Sequence, residues 1–191
     1  MEKIVLATHN RHKCEEFRAM LKGKYEIISL DDIDMHDDIP ETGMTFRENA
    51  LQKAMYVLEK GCVGDAAGVM ADDSGLEVMA LGGRPGVFSA RYAGEGCTPR
   101  DCIDKLLHEL KGVDDRRARF VTVLAVVRNG KVSYYEGEVR GRIIDELRGE
   151  GGFGYDPVFV PDGETKSFAE MGNEIKNTMS HRANAVKELL K

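Results

Sequence analysis

The chain has no tryptophan and no CxxC pair. Its four cysteines, Cys14, Cys62, Cys97 and Cys102, lack the paired spacing of a structural zinc site. In a chain of 191 residues they read as reduced thiols and not as a disulfide framework. No apolar run reaches the length that crosses a bilayer. The opening residues, Met1-Glu2-Lys3-Ile4-Val5-Leu6, lack a signal-peptide apolar region and cleavage site, so a cytoplasmic location is expected. Internal repeats and low-complexity segments are missing as well, which removes solenoids and biased linkers from consideration. Excess positive charge is also absent. The chain carries 27 Lys and Arg against 33 Asp and Glu, a net charge of −6. That balance argues against nonspecific binding to polymeric nucleic acid, yet it leaves room for a small anion in a local basic pocket.

Hydrophobic residues make up 42% of the chain and charged residues 31%, enough apolar material for a packed core. The length predicts a single domain over 1–191, with room for two lobes. Ile4–Ala7 reads as a buried strand, followed by a helix whose apolar residues are Cys14, Phe17, Met20 and Leu21. Tyr25–Leu30 reads as a second strand. Thr45-Phe46-Arg47-Glu48 has the form of a capping box and predicts a helix to about Lys60. Thr98-Pro99-Arg100-Asp101 predicts another helix start. Phe120–Val127 and Val132–Val139, joined by Asn129-Gly130, predict a hairpin, so the sheet is expected to be mixed. Ser167 and Ser180 open the last two helices.

Five places carry chemistry. The loop Thr8 to Lys13 joins a strand to a helix N-terminus, a natural anion site. Thr8, Asn10 and Lys13 can turn toward one phosphate chain, or Thr8 and Asn10 can simply cap the helix. Asp72-Asp73-Ser74-Gly75 follows the apolar run Gly68–Ala71. Two adjacent carboxylates at a strand end disfavour each other's charge unless a cation intervenes, and carboxylate oxygens suit magnesium. Glu41, on a Pro40–Gly43 turn, is either exposed or held for a purpose. Gly152-Phe153-Gly154-Tyr155-Asp156 sets aromatics in a flexible loop; Phe153 stacks on a planar ligand, with Asp156 accepting a base N–H, or it anchors the loop. Finally, His181 and Arg182 fall in the first turn of a helix, where positive charge opposes the helix dipole and calls for an anion or acceptor.

Taken together, Thr8-x-Asn10-x-x-Lys13, Pro40-Glu41-Thr42-Gly43, Asp72-Asp73-Ser74-Gly75-Leu76, Gly82-Gly83-x-Pro85-Gly86, Ser89-Ala90-Arg91, Gly152–Pro157 and Ser180-His181-Arg182 resemble the inosine/xanthosine triphosphate pyrophosphatases, the Ham1 or RdgB family. The blocks arrive in the family's order and span nearly the whole chain. The resemblance implies an α/β fold of three layers, α/β/α, with a long mixed central sheet and two lobes flanking a substrate cleft. It implies hydrolysis of the non-canonical purine nucleoside triphosphates ITP, dITP and XTP to monophosphate and pyrophosphate, with Mg2+ as cofactor, in a homodimer. It implies substrate contacts from Thr8, His9, Asn10, Arg11, His12, Lys13, Ser74, Phe153, Gly154, Tyr155, Asp156, Lys176, His181 and Arg182. Glu41 and Asp73 are implied at the metal, with Asp73 as proton acceptor and Asp72 available to share that work. The alternatives are a Maf-type pyrophosphatase acting on other nucleotides and a nucleotide-binding protein without catalysis.

Overall fold

A computed structural model describes all residues, Met1–Lys191. In chain order the elements are β1 (Glu2–Leu6), α1 (Arg11–Met20), β2 (Tyr25–Ile28), α2 (Phe46–Glu59), β3 (Val69–Val78), α3 (Pro99–Glu109), β4 (Arg117–Arg128), β5 (Lys131–Ile143), β6 (Phe159–Pro161), α4 (Phe168–Met179) and α5 (His181–Leu189). They build one six-stranded sheet in the order β2-β1-β3-β4-β5-β6. β1 runs parallel to β2, with Ile4 opposite Ile27, and parallel to β3, with Leu6 opposite Met70. β6 closes the other edge antiparallel to β5. The sheet is therefore mixed α/β, as the hairpin predicted. No helix is long and apolar enough to cross a membrane.

Local chemistry explains where elements start. Thr45 and Thr98 each accept from the backbone N–H three residues on, and Glu48 and Asp101 return the bond, so α2 and α3 open on complete capping boxes. Ser167 and Glu170 do the same for α4. Asn129 and Gly130 both hold positive φ, 48° and 72°, the pair of values that a two-residue hairpin turn with matching twist requires. One expectation is corrected here. The Asp72-Asp73-Ser74-Gly75 stretch is not a turn at a strand end: β3 continues through it to Val78. Flanking apolar residues and the strand's place between β1 and β4 in the sheet outweigh the poor strand preference of Asp, Ser and Gly.

Contacts divide the chain into two compact units. The first comprises residues 1–73, 122–136 and 185–191, and the second residues 74–121 and 137–184. The first unit has two apolar clusters. One sets Cys14 and Phe17 of α1 and its C-cap Leu21 against Ile4, Leu6 and Met70; the other sets Ala54 and Val57 of α2 against Val5, Ala7, Val69 and Val127. The second unit is built around Leu76, Val78, Ile103, Leu106, Phe120, Phe159 and Phe168. Its aromatic centre packs Phe120 edge-on to Phe159 at 4.7 Å between ring centroids.

Candidate active site

In the first unit, carboxylates and ammonium groups alternate. Successive side chains on a strand point to opposite faces, and the partners of Asp72 and Asp73 follow that rule. Asp72, fully buried, pairs with Lys13 of α1 at 3.0 Å. Asp73 turns to α2, where Lys53 Nζ donates to its Oδ1 at 3.1 Å and Asn49 Nδ2 donates to its Oδ2 at 3.2 Å. The same Lys53 nitrogen donates to Glu41 Oε1 at 2.6 Å. Glu41 is thus held, not exposed on its turn. The turn itself is fixed by Asn49, whose Oδ1 accepts from Gly43 N–H at 2.7 Å. A side chain at Gly43 would collide there, since its Cβ would fall 2.8 Å from Asn49 Oδ1 and 2.6 Å from Glu48 Cβ.

The electrostatics of this group follow from burial. Burial pushes the Asp73 carboxyl above the ordinary carboxylate value; Lys53 and Lys13 pull the other way, and Glu41 adds to the rise. For Lys53, burial is the largest influence and disfavours its charge, but Asp73, Asp72 and Glu41 together outweigh it and raise its pKa. The ammonium is therefore charged, and it stands where both carboxylates converge. A point touched by Glu41 Oε1 and Asp73 Oδ1 suits a hard cation, because both donors are carboxylate oxygens. No three His, Cys, Asp or Glu side chains gather as a ligand set. The two carboxylates fit an ion of the magnesium kind, which commonly takes one or two carboxylates and completes its shell with phosphate and water.

Beside this group lies the start of α1. Asn10 caps the helix, its Oδ1 accepting from Lys13 N–H at 3.2 Å, and Thr8 Oγ1 accepts from Asn10 N–H at 3.2 Å. The capping role is thus Asn10's, Thr8 braces the cap residue through a turn bond, and each keeps its own donor, the Thr8 hydroxyl hydrogen and the Asn10 amide. His9 Nε2 meets the carbonyl of Asp37 at 2.8 Å and ties the acidic loop to this segment. Arg11 and His12 are exposed.

In the second unit a separate group forms around Phe153. Lys176 Nζ lies 4.6 Å and Arg182 Cζ 5.2 Å from the centre of its ring, a cation–π pair of contacts. Lys176, His181 and Arg182 are all buried, at 1%, 3% and 2% exposure. The His181 ring stacks on Phe120 with centroids 4.9 Å apart. Asp156 Oδ2 accepts from Phe153 N–H at 2.8 Å and from Lys176 Nζ at 2.7 Å. That oxygen is engaged by the loop itself, so it shapes the loop instead of waiting for a base N–H. Gly152 is required beside it, because a Cβ there would overlap the Asp156 carboxylate. Tyr155 points into the core, its hydroxyl donating to the Ser89 carbonyl at 2.8 Å, and burial raises its pKa. Gly154 adopts φ 61°, between these two. Ser74 is half-buried on β3.

Sequence reading missed Lys53 and Asn49, and it placed Ser89 only within the Ser89-Ala90-Arg91 motif, with no role. The first two carried a signal. Asn49 and Lys53 are four residues apart on α2 and fall in phase with Phe46, Ala50, Ala54 and Val57, the buried stripe. Polar residues in phase with a core stripe need buried partners. Ser89 gave no such signal. Its hydroxyl donates to Gly86 O at 2.7 Å and accepts from Leu76 N–H at 2.8 Å, a hub made by tertiary contact.

Comparison with known proteins agrees with the motifs. A sequence model of the Ham1 family matches residues 4–191. A dITP/XTP pyrophosphatase of Porphyromonas gingivalis is 50% identical over 190 residues, covering 99% of this chain and 96% of the relative. One from Bacillus subtilis is 47% identical over 195 residues, covering 100% and 96%. Among solved structures, the Staphylococcus aureus Ham1 protein is 39% identical with a TM-score of 0.83, covering 98% of this chain and 96% of that one. A dITP/XTP pyrophosphatase from Mycobacterium abscessus is 38% identical with a TM-score of 0.74, covering 98% of each. The chain belongs to the Ham1 family.

Proposed function

We propose that this protein hydrolyses the non-canonical purine nucleoside triphosphates dITP, ITP and XTP to the monophosphate and pyrophosphate, with magnesium as cofactor. The observation that carries the reading is the convergence of Glu41 and Asp73 on Lys53, in the same unit as Lys13 and the start of α1. Similarity to relatives named dITP/XTP pyrophosphatase supplies the substrate class. On the family resemblance we also assign residues 1–191 to a single domain, acting as a cytoplasmic homodimer; light scattering tests the dimer.

Cleavage between the α and β phosphates is limited mainly by charge, so most of the catalysis is electrostatic. The start of α1, with the donors of Thr8 and Asn10 and the Lys13 ammonium, receives the phosphate tail and offsets charge on the departing pyrophosphate. Lys13 is held for this by Asp72. Glu41 and Asp73 would hold a magnesium ion, which when bound would supply charge neutralisation for the phosphate oxygens and activation of water. Asn49 and Lys53 fix both oxygens of Asp73, so this carboxylate orients the attacking water and accepts its proton without first having to rotate.

Phe153 offers its ring to the purine from a loop fixed by the bonds of Asp156 to the Phe153 N–H and to Lys176. Arg182 and His181 supply donors for the 6-oxo group of hypoxanthine or xanthine. Adenine presents a 6-amino donor there and lacks N1–H. That mismatch costs on the order of a few kcal/mol.

Pyrophosphate release measured over a panel of dITP, ITP, XTP, dATP, dTTP and UTP with magnesium tests this reading. The oxopurine nucleotides are expected to turn over at least tenfold faster than the others. Preferential use of dTTP or UTP would favour the Maf-type alternative, and binding of ITP without product would favour a non-catalytic role.

A further inference from the structure

α3 begins with a close pair of sulfur atoms that the proposed hydrolysis does not use. Thr98 is the N-cap of α3, so Cys97 precedes the cap and Cys102 is the fourth residue of the helix. Those two positions form the apolar staple that fixes how a chain enters a helix. Here the staple is made of thiols, with Cys97 Sγ 3.2 Å from Cys102 Sγ. Cys102 is buried in the core of the second unit beside Ile103 and Leu106, whereas Cys97 is partly exposed. Both sulfurs also face the carbonyl of Ala90, at 3.8 and 4.0 Å. Ala90 directly follows Ser89, the residue whose carbonyl holds Tyr155 and whose hydroxyl holds Leu76 N–H. The pair therefore backs the segment that ties the Phe153–Asp156 loop to β3. Cys14 and Cys62 lie in the other unit.

A disulfide needs its sulfurs at roughly 2.05 Å, so closing this pair takes a movement of about 1 Å. Cys102 cannot supply it, being set in a capped helix and a packed core. Cys97 can, because Gly94 and Gly96 precede it at φ 120° and 71°, in a turn outside the core.

We propose that Cys97 and Cys102 form a thiol modification site, at which the folded chain reacts with a low-molecular-mass disulfide and closes an intrachain disulfide across the start of α3. Accessibility orders the steps. The deprotonated Cys97 sulfur attacks one sulfur of the small disulfide, its S–S bond breaks, and the first small thiolate leaves and takes up the proton. The Cys102 thiol then loses its proton and attacks Cys97 Sγ, and the second small thiolate leaves and is protonated. Two protein thiols are oxidised and one small disulfide is reduced to two thiols. The product ties the segment before α3 to the first turn of the helix and stands independently of the proposed hydrolysis.

Incubating the folded full-length chain with oxidised glutathione, blocking the remaining thiols and mapping the digest by mass spectrometry tests the proposal. The expected result is a Cys97–Cys102 cross-linked peptide, loss of two of the four thiols, and a melting temperature raised by a few °C that returns on reduction. Cys97→Ser, at a partly exposed position, is expected to fold normally and give no cross-link. Cys102→Ala is expected to trap glutathione on Cys97. Glutathione persisting on Cys97 of the unaltered chain would overturn the proposal. So would a cross-link that appears only after denaturation, or reaction confined to Cys62.

Discussion

Asp72 and Asp73 are adjacent in the chain, yet they serve opposite faces of β3: one pairs with Lys13 of α1 at 3.0 Å, the other with Lys53 of α2 at 3.1 Å. This division gives them separable roles. Asp72→Asn removes the Lys13 ion pair and leaves the hydrogen bonds of the Glu41–Asp73 group in place. Its expected effect on dITP hydrolysis is a KM raised by about tenfold with kcat changed much less, because a positioned cation is lost from the phosphate tail. Steady-state kinetics check this, and an equal fall in kcat would place Asp72 in the chemistry.

Lys53→Met keeps the volume of the side chain but removes the ammonium that bridges two carboxylates. Asp73 stays buried, while Glu41, about one-third exposed, can turn to water. Breaking a buried pair costs roughly 3–5 kcal/mol, and the exposure of Glu41 brings the expected loss to about 2–3 kcal/mol. Urea unfolding in metal-free buffer measures it. Magnesium is expected to restore part of the loss, since an ion that binds only the folded state shifts the equilibrium toward it. An unchanged midpoint would remove Lys53 from the group.

Phe153→Ala removes the ring that Lys176 and Arg182 flank, and is expected to raise KM for dITP by about tenfold through lost stacking. Arg182→Ala is expected to narrow the preference for dITP over dATP. The two variants separate general base binding from reading of the 6-oxo edge. A selectivity ratio unchanged by Arg182→Ala would assign discrimination elsewhere.

Acid should weaken one local clamp. Hydrogen bonds from the Ser29 hydroxyl and N–H, at 2.7 and 2.8 Å, with Arg18 beside them, hold the Asp32 carboxyl below its usual value. A depressed folded-state pKa contributes stability above the unfolded value of 3.8 and loses it as pH falls through the folded one. The difference in urea midpoint between the unaltered chain and Asp32→Asn is therefore expected at neutral pH and should shrink below about pH 4. A difference independent of pH would contradict the clamp.

Much of this was legible in the sequence where local chemistry decides the outcome. The capping boxes at Thr45 and Thr98 specify their helices through side chains within three residues of the backbone groups they satisfy, and Asn129-Gly130 specifies the hairpin through its tolerance of positive φ. β3 was not legible through Asp72–Gly75, because those residue types favour turns and only pairing with neighbouring strands overrides them. The site divides the same way. Thr8, Asn10 and Lys13 belong to one helix start and could be read as a unit. Asn49 and Lys53 meet Asp73 from 24 and 20 positions away, so only their phase on α2 betrayed them. Tyr155 and Asp156 belong to a loop read as a base cradle, but burial turned the Tyr155 hydroxyl to Ser89 and one Asp156 oxygen to Lys176.

The most direct measurement is pyrophosphate release from dITP, with magnesium, by the unaltered chain and by Asp73→Asn at matched folded concentration. The expected result is dIMP and pyrophosphate from the first and a rate lower by at least about a hundredfold from the second, with dITP still bound. Turnover by Asp73→Asn at the unaltered rate, or release of single phosphates in place of pyrophosphate, would contradict the account.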